Sequence, residues 1–192
     1  MRHGVLLASA VLALAGAASA VVSSVSRRDL SQGATSDVGG ADFARPARAW
    51  LEMEDARHIP LRVLRGATPS ALTVQLVNFR RGTHGDCVLA VRTKGTKVAS
   101  YFGGMSIELP VVASIEPFTA APGLTATITG EYFGTKRPRV YVGGIRAKLT
   151  AWSDTSITFV VPPGLAPGPQ FLDVETKAGP AEVRSMFTVA GD

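Results

Sequence analysis

The sequence predicts an all-β protein with a β-sandwich at its carboxyl terminus. Between Ser114 and Val189 we expect about seven short strands, because turn residues recur roughly every 8–12 positions. Apolar and hydroxyl residues alternate from Leu124 to Thr129, as in a strand with one buried and one solvated face. The 20 glycines and 12 prolines of the chain suit a protein built from strands and turns.

The other strands of this region follow in order, and turn residues separate them. Gly143-Gly144 can adopt positive φ and suits a hairpin turn. Pro162-Pro163 ends the strand before it, because proline donates no hydrogen bond to a neighbouring strand. Within that strand, Ile157, Phe159 and Val161 share one face, so we expect Phe159 to be buried. The predicted strands lie near residues 113–116, 124–129, 140–142, 147–151, 157–161, 171–176 and 183–189.

Short motifs follow one another through the same segment. They are Ser114-Ile115-Glu116-Pro117, Pro122-Gly123, Thr127-Ile128-Thr129-Gly130, Phe133-Gly134, Val140-Tyr141-Val142-Gly143-Gly144, Trp152-Ser153-Asp154-Thr155-Ser156-Ile157 and Val161-Pro162. In this order they resemble IPT/TIG domains, immunoglobulin-like folds shared by transcription factors, plexins and many bacterial surface proteins. The resemblance covers residues 113–189, within a predicted domain of residues 111–192. It implies binding, linking or spacing, and it implies no catalytic residues.

The first 20 residues have the features of a signal peptide. Arg2 supplies the positive charge, Val5 to Ala15 form the apolar region, and Ala18-Ser19-Ala20 is a small-x-small cleavage site. The apolar run extends from Gly4 to Val22, which leaves an uncleaved membrane anchor as the alternative. We therefore expect a secreted, periplasmic or cell-surface protein that meets a membrane only through this segment.

Residues 21–46 are predicted to form a disordered linker. Serine, glycine, alanine and aspartate dominate the segment, and it contains few large apolar side chains. Such a composition buries too little apolar surface to offset the conformational entropy lost on ordering.

Residues 47–110 are predicted to be β-rich. Strands are expected near residues 60–64, 72–79, 86–92, 97–102 and 105–109, whereas Ala49 to Arg57 fits a strand or a helix. When the chain is shifted by about 52 positions, Leu72 falls on Leu124 and Val88 on Val140. The segment is therefore either a degenerate, truncated copy of the carboxyl-terminal domain or an unrelated set of similar strands.

The positive charge is concentrated in the middle of the chain. The net charge is +5, and residues 45–110 contain ten basic against five acidic residues, whereas residues 111–192 contain seven of each. An exported basic surface can bind an anionic wall polymer or an acidic polysaccharide, and the alternative is an ordinary solvated face. The candidate contacts for an anionic ligand are Arg62, Arg65, Arg80, Arg81, Arg92, Lys94 and Lys97.

Two aromatic residues of the carboxyl-terminal domain are candidates for ligand contact. Tyr141 and Trp152 could stack on sugars if their rings are exposed, although Trp152 also fits a role in capping the core. The predicted partner is a protein or polysaccharide at the cell surface or envelope. Nucleic acid is disfavoured because the recognised domain is neutral and the chain has an export signal.

The sequence contains no recognisable catalytic motif. His58, His84 and Cys87 lack the spacing of metal ligands. Phosphate-binding glycine loops, nucleophile elbows and HExxH motifs are absent. Cys87 is the single cysteine, so the chain can form no intramolecular disulfide. We therefore predict a non-catalytic protein without a cofactor or a metal site.

Overall fold

A computed structural model describes residues 20–43, 47–93, 98–182 and 184–191. Over these ranges the chain forms strands and turns without a helix, which confirms the predicted all-β class. Within the same ranges, no helix is long and apolar enough to cross a membrane. Apart from Ala20, the predicted signal segment lies outside the described residues.

The described residues from 20 to 109 form a sandwich, here called the first sandwich. Its strands pair in the order β1-β3-β6-β5-β4-β7-β8-β2. Because β5 pairs with both β4 and β6, the strands fold into two facing layers around one core. Val38, Leu51 and Leu89 are among its buried members. The strands are β1 (Val21–Val25), β2 (Asp29–Leu30), β3 (Thr35–Ala41), β4 (Arg48–Met53), β5 (His58–Val63), β6 (Ala71–Gln75), β7 (Gly85–Arg92) and β8 (Ala99–Ile107).

The described residues from 110 to 191 form the second sandwich. One sheet has the order β10-β17-β16-β12-β13 and the other β14-β15-β11-β9. Phe159 is fully buried and packs edge to face against Phe187, with ring centroids 5.8 Å apart, so the predicted face of its strand is confirmed. The strands are β9 (Val111–Glu116), β10 (Thr119–Ala120), β11 (Thr125–Glu131), β12 (Arg139–Val142), β13 (Ile145–Arg146), β14 (Lys148–Trp152), β15 (Ser156–Val160), β16 (Gly168–Glu175) and β17 (Ser185–Val189).

The structure differs from the disordered linker that the composition of residues 21–46 predicts. Strands β1, β2 and β3 occupy most of that segment and pair within the first sandwich. Buried small residues explain the difference. Ser36 is buried, and its hydroxyl accepts a hydrogen bond from the Arg27 amide (3.1 Å) and donates one to the Arg27 carbonyl oxygen (2.9 Å). A polar composition therefore coexists with ordered, buried backbone in this segment.

The first three strands of the first sandwich have counterparts 90 positions later in the sequence, as the first three strands of the second sandwich. Val21 faces Ala41 between β1 and β3, and Val111 faces Glu131 between β9 and β11, with a register shift at the same place in each pair. Strand β2 lies parallel to β8, as β10 lies parallel to β17. The predicted shift of about 52 residues and the truncated copy were therefore wrong, because the first sandwich begins with the strands that composition assigns to a linker.

Gln32 joins the two sandwiches. Its side chain is buried, and its Oε1 accepts hydrogen bonds from the Lys136 amide (2.8 Å) and from Thr135 Oγ1 (2.9 Å). Its Nε2 donates to the Val77 carbonyl oxygen (2.8 Å), and its own carbonyl oxygen accepts from the Thr135 amide (2.8 Å). The turn between β2 and β3 is thus bonded to the loop between β11 and β12 of the second sandwich.

A second contact lies at the turn between β16 and β17. Ala178 of this turn is buried as a member of the first sandwich's core. The Gly82 amide donates to the Lys177 carbonyl oxygen at 3.0 Å. A Cβ atom at Gly179 would lie 2.7 Å from Leu109 Cδ2, so the turn approaches the end of the first sandwich closely. The two sandwiches therefore pack as one unit in this structure.

Replacing Gln32 with alanine is expected to lower the free energy of unfolding by about 1–3 kcal/mol, because the hydrogen bonds made by this buried side chain are lost. Urea denaturation measures the loss. Gln170→Ala is the matched control, because that amide contacts the Ala166 carbonyl oxygen on the exposed surface and its removal should cost less than about 0.5 kcal/mol. Equal losses in the two variants would contradict the role of Gln32.

Candidate functional site

Strand alternation produces an outer face on the first sandwich, across β5, β4 and β7. In β4, Arg48, Trp50 and Glu52 alternate with the buried Ala49, Leu51 and Met53, so the first set points away from the core. Neighbouring strands extend this face, because Trp50 pairs with Pro60 of β5 and with Ala90 of β7. We call this surface the outer face. Its exposed or half-buried members on these three strands are Arg48, Trp50, Glu52, His58, Pro60, Arg62, Val88 and Arg92, whereas Ala90 on the same side is fully buried.

Trp50 is held at the centre of the outer face. Its indole Nε1 donates a hydrogen bond to Glu52 Oε1 at 2.9 Å. The His58 ring lies 6.0 Å away between centroids, and His58 Nε2 is 3.7 Å from the same Glu52 oxygen. The indole is half-buried and fixed by a partner on its own strand. A fixed aromatic ring offers a ligand contact area at a low cost in conformational entropy.

Three arginines line one end of the outer face. Arg48 and Arg92 are direct cross-strand partners. Arg62 follows Leu61, which pairs with Ala49, so Arg62 lies on the same side of the face. All three are exposed, and the ion pairs of the described residues include none of them. Like charges placed directly opposite each other destabilise a sheet, and an anion placed between Arg48 and Arg92 would reduce that repulsion.

Acidic and aromatic side chains lie at the opposite end. A cleft of about 400 Å³ is lined there by Glu52, Glu54, Asp86 and Phe102, among others. Phe102 is 77% exposed and belongs to the irregular part of β8, where the pairing of β7 with β8 shifts register. The outer face therefore changes from basic to acidic along the strands, with Trp50 between the two ends.

The structure distributes the predicted basic contacts over several places. Arg62 and Arg92 lie on the outer face, whereas Arg65 lies in the exposed turn after β5. Arg80 and Arg81 lie in the loop between β6 and β7, and Arg81 forms an ion pair with Glu175 of the second sandwich at 3.2 Å. Lys94 and Lys97 lie outside the described residues.

Sequence reasoning missed Arg48 and Trp50. Trp50 lies in the segment from Ala49 to Arg57, which fits a strand or a helix by pattern, and Arg48 immediately precedes that segment. The strict alternation of polar and apolar residues from Arg48 to Met53 is the signal that could have found them, since it predicts a common outward face. Their cross-strand partners depend on register, which that pattern does not contain.

The two predicted aromatic contacts belong to different sheets of the second sandwich. Trp152 ends β14 and is 40% exposed, with its Nε1 donating to the Thr135 carbonyl oxygen at 3.2 Å and the Arg137 guanidinium 5.5 Å from its ring centroid. Tyr141 is half-buried on β12. The Trp152 ring is therefore partly covered by Arg137, and the Tyr141 ring is only partly exposed.

Another cleft contains side chains of the kinds used in catalysis. It measures about 670 Å³ and is lined by His84, Asp86, Ser106 and Glu108, among others. The Ser106 hydroxyl donates to Glu108, and its contacts do not include His84. In the part of the chain that the structure describes, no group of three or more His, Cys, Asp or Glu residues is placed to hold a metal ion.

Cys87 lies in the core of the first sandwich rather than at a reactive site. Burial, together with the nearby Asp86 and Glu108 carboxylates, raises the pKa of its thiol to about 12. The neutral thiol is therefore the form present at neutral pH, and it is a poor nucleophile.

Comparison with known proteins matches residues 110–190 to the IPT/TIG domain family. The chain is also similar to two cyclomaltodextrin glucanotransferases. It is 29% identical to that of Bacillus sp. (strain 1011) in an alignment over 115 residues that covers 50% of this chain and 16% of the enzyme. It is 34% identical to that of Niallia circulans over 90 residues, which are 45% of this chain and 12% of the enzyme. The chain thus spans less than a fifth of these curated relatives.

The chain also aligns with solved structures at low sequence identity. A crystal structure with xylogluco-oligosaccharide aligns with 89% of this chain and 40% of its own, at 18% identity and a TM-score of 0.47. SGBP-B from a xyloglucan utilization locus in Bacteroides uniformis aligns with 90% of this chain and 50% of its own, at 14% identity and a TM-score of 0.41. The plexin A4 extracellular region aligns with 89% of this chain and 18% of its own, at 13% identity and a TM-score of 0.43.

Proposed function

Residues 110–190 are an IPT/TIG domain, and from this premise we propose that the protein is an exported, non-catalytic module that binds a polysaccharide through the outer face of its first sandwich. The second sandwich supports that face through the contacts of Gln32 and Ala178. The proposed site of action is the cell surface, the envelope or the extracellular space, and the signal peptide predicted before Val21 supports this location.

The observation that carries the proposal is the position of Trp50. Its ring is fixed by Glu52 on an extended sheet face, between an arginine row and an acidic cleft. An aromatic ring provides apolar contact area for the C–H faces of a sugar, and the charged groups around it supply hydrogen bonds. A long, shallow sheet face suits a polymer chain rather than a small molecule enclosed in a pocket.

The arginine row indicates an acidic polysaccharide. Arg48 and Arg92 face each other without an acidic partner among the described residues. Guanidinium groups bind carboxylates and sulfates with two parallel hydrogen bonds. A uronic acid bound at this end would therefore relieve the repulsion between the two arginines while its neighbouring sugar contacts Trp50.

The sequence relatives support a polysaccharide over a protein partner. Cyclomaltodextrin glucanotransferases act on glucans by their name, and the match covers only the immunoglobulin-like domain of this chain. That similarity therefore supports a glucan-related setting and carries no catalytic step to this protein.

Affinity electrophoresis tests the proposal with polygalacturonate as an acidic probe and dextran as a neutral one. We expect Trp50→Ala to weaken binding to polygalacturonate at least tenfold, because truncation of a central tryptophan typically costs about 2 kcal/mol or more. The pair Arg48→Ser and Arg92→Ser should weaken binding to polygalacturonate and reduce its salt dependence, and it should leave any binding to dextran unchanged.

Trp152→Ala is the matched control, because it removes an exposed tryptophan from the other sandwich and should leave affinity unchanged. Urea denaturation of each variant separates lost binding from lost folding. Full affinity in the Trp50→Ala variant would exclude the outer face, and no retention of the wild-type protein by either polymer would overturn the proposed function.

A further inference from the structure

Basic side chains from both sandwiches meet where the two sandwiches join. Arg81 comes from the loop between β6 and β7 of the first sandwich, and Arg139 begins β12 of the second. The two guanidinium groups share one carboxylate, with Arg81 Nη1 3.2 Å from Glu175 Oε1 and Arg139 Nη1 3.5 Å from Glu175 Oε2. The single carboxylate of Glu175 therefore pairs with two guanidinium groups. All three side chains remain partly exposed.

Two lysines complete this group. Lys136 donates from Nζ to the neutral Asn78 Oδ1 at 2.9 Å, and Lys177 Nζ lies 5.7 Å from the centroid of the Phe79 ring. Both contacts cross between the sandwiches, and neither neutralises a charge. Partial burial and the nearby charges of Lys136 and Arg81 lower the pKa of Lys177. We call Arg81, Lys136, Arg139 and Lys177 the junction cluster.

The backbone holds the junction cluster in place. The Lys136 amide donates to Gln32 Oε1, and the Lys177 carbonyl oxygen accepts from the Gly82 amide, next to Arg81. Each of these hydrogen bonds joins one sandwich to the other. Docking thus adds Arg81 to the three cations of the second sandwich, so neither sandwich alone contains the whole cluster. Assembling like charges costs free energy, which a bound anion would offset.

We propose that the junction cluster is a second binding site, for the carboxylate or sulfate groups of an acidic polysaccharide, and that it exists only while the two sandwiches are docked. Four cations against one carboxylate leave a net charge of about +3 in a small area, which is enough to contact several acidic groups of one polymer. The junction cluster shares no residue with the outer face, so binding at this cluster can be tested independently of Trp50.

Binding measurements with dextran sulfate, polygalacturonate and neutral dextran test this site. We expect the pair Lys136→Ser and Lys177→Ser to weaken binding to a charged polymer at least fivefold. The slope of log affinity against log salt concentration should fall by about two, since each lost contact releases about one counterion fewer. Glu175→Gln should strengthen binding, because it removes the one carboxylate that contacts the arginines. Dextran sulfate and polygalacturonate distinguish sulfate from carboxylate as the preferred group.

The pair Arg65→Ser and Lys148→Ser is the charge-matched control, because both residues are exposed and lie outside the cluster. An equal loss of affinity in this control would show that total charge rather than the junction cluster governs binding. Weaker binding after Glu175→Gln would also overturn the site. If the junction pair changes nothing while Arg48→Ser with Arg92→Ser does, this inference fails and the outer face stands. If only the junction pair lowers affinity, the outer face fails and the junction site stands.

Discussion

Phe159→Ala is expected to lower the free energy of unfolding by about 3–5 kcal/mol, as measured by urea denaturation. Phe159 has no exposed surface and packs edge to face against Phe187 in the core of the second sandwich. Its removal deletes a large apolar side chain and leaves a cavity that the two surrounding sheets cannot fill without moving. Phe159 also lies on β15, which pairs with both β11 and β14, so relaxation there would disturb a central strand.

Phe171→Ala is the control for this change. That ring lies on β16 but is 54% exposed, and the Arg184 guanidinium stands 5.5 Å from its centroid. We expect its truncation to cost less than about 1 kcal/mol. A loss for Phe159→Ala as small as that of the control would mean that its strand does not face the core.

The second large effect is expected at Gly130, where alanine should cost about 3 kcal/mol of unfolding free energy. A Cβ atom there would lie 2.0 Å from the Val111 carbonyl oxygen and 2.7 Å from Phe133 Cζ. The first of these atoms belongs to the backbone of β9, so β9 and β11 would have to separate. Overpacking of this kind typically costs about 1–3 kcal/mol, and movement of the backbone places Gly130 at the upper end.

Gly40 provides an internal replicate, because it occupies the same position in the first sandwich. A Cβ atom there would lie 1.9 Å from the Val21 carbonyl oxygen and 2.4 Å from Phe43 Cζ. We expect Gly40→Ala to cost about as much as Gly130→Ala, whereas Gly191→Ala, whose Cβ would have only an ordinary contact with Pro167 at 3.7 Å, should be nearly neutral. Unequal losses at Gly40 and Gly130 would argue against the repeat of 90 residues.

The second sandwich could be predicted in detail because its strands carry their own signals. Ile128, Ile157 and Phe159 alternate with hydroxyl residues, and all three are fully buried. The turns at Gly143-Gly144 and Pro162-Pro163 fall between strands, as their backbone chemistry requires. Local pattern and tertiary packing agree at these positions, whereas Leu124, at the start of the same alternating run, is 58% exposed.

The first sandwich could not be predicted in the same way. Its β3 strand contains Ser36, Asp37 and Gly39, so its composition resembles that of a linker. Pairing with β1 on one side and β6 on the other satisfies its backbone, and Val38 supplies most of its apolar burial. The stability of such a strand comes from its neighbours, which a window of sequence around it does not include.

The candidate sites also combine features that the sequence predicts with features that depend on the tertiary structure. The sequence shows the excess of basic residues between residues 45 and 110. It does not show that basic side chains are divided between the outer face and the junction cluster. Arg48 meets Arg92 through the register of β4 with β7, and Arg81 meets Arg139 because the sandwiches dock. In each of these two pairs, the residues are more than 40 positions apart in the chain.

By itself, the sequence determined the all-β class, the strands of the carboxyl-terminal sandwich and the burial of Phe159, because alternation and turn residues act over a few neighbouring positions. Only the tertiary structure decided that residues 21–41 belong to a complete first sandwich, that Trp50 stands between arginines and carboxylates, and that Lys136 and Lys177 join Arg81. These features depend on strand register and on domain docking. Both are set by the packing of distant segments, where hydrogen bonds and buried surface are shared between residues that no local pattern relates.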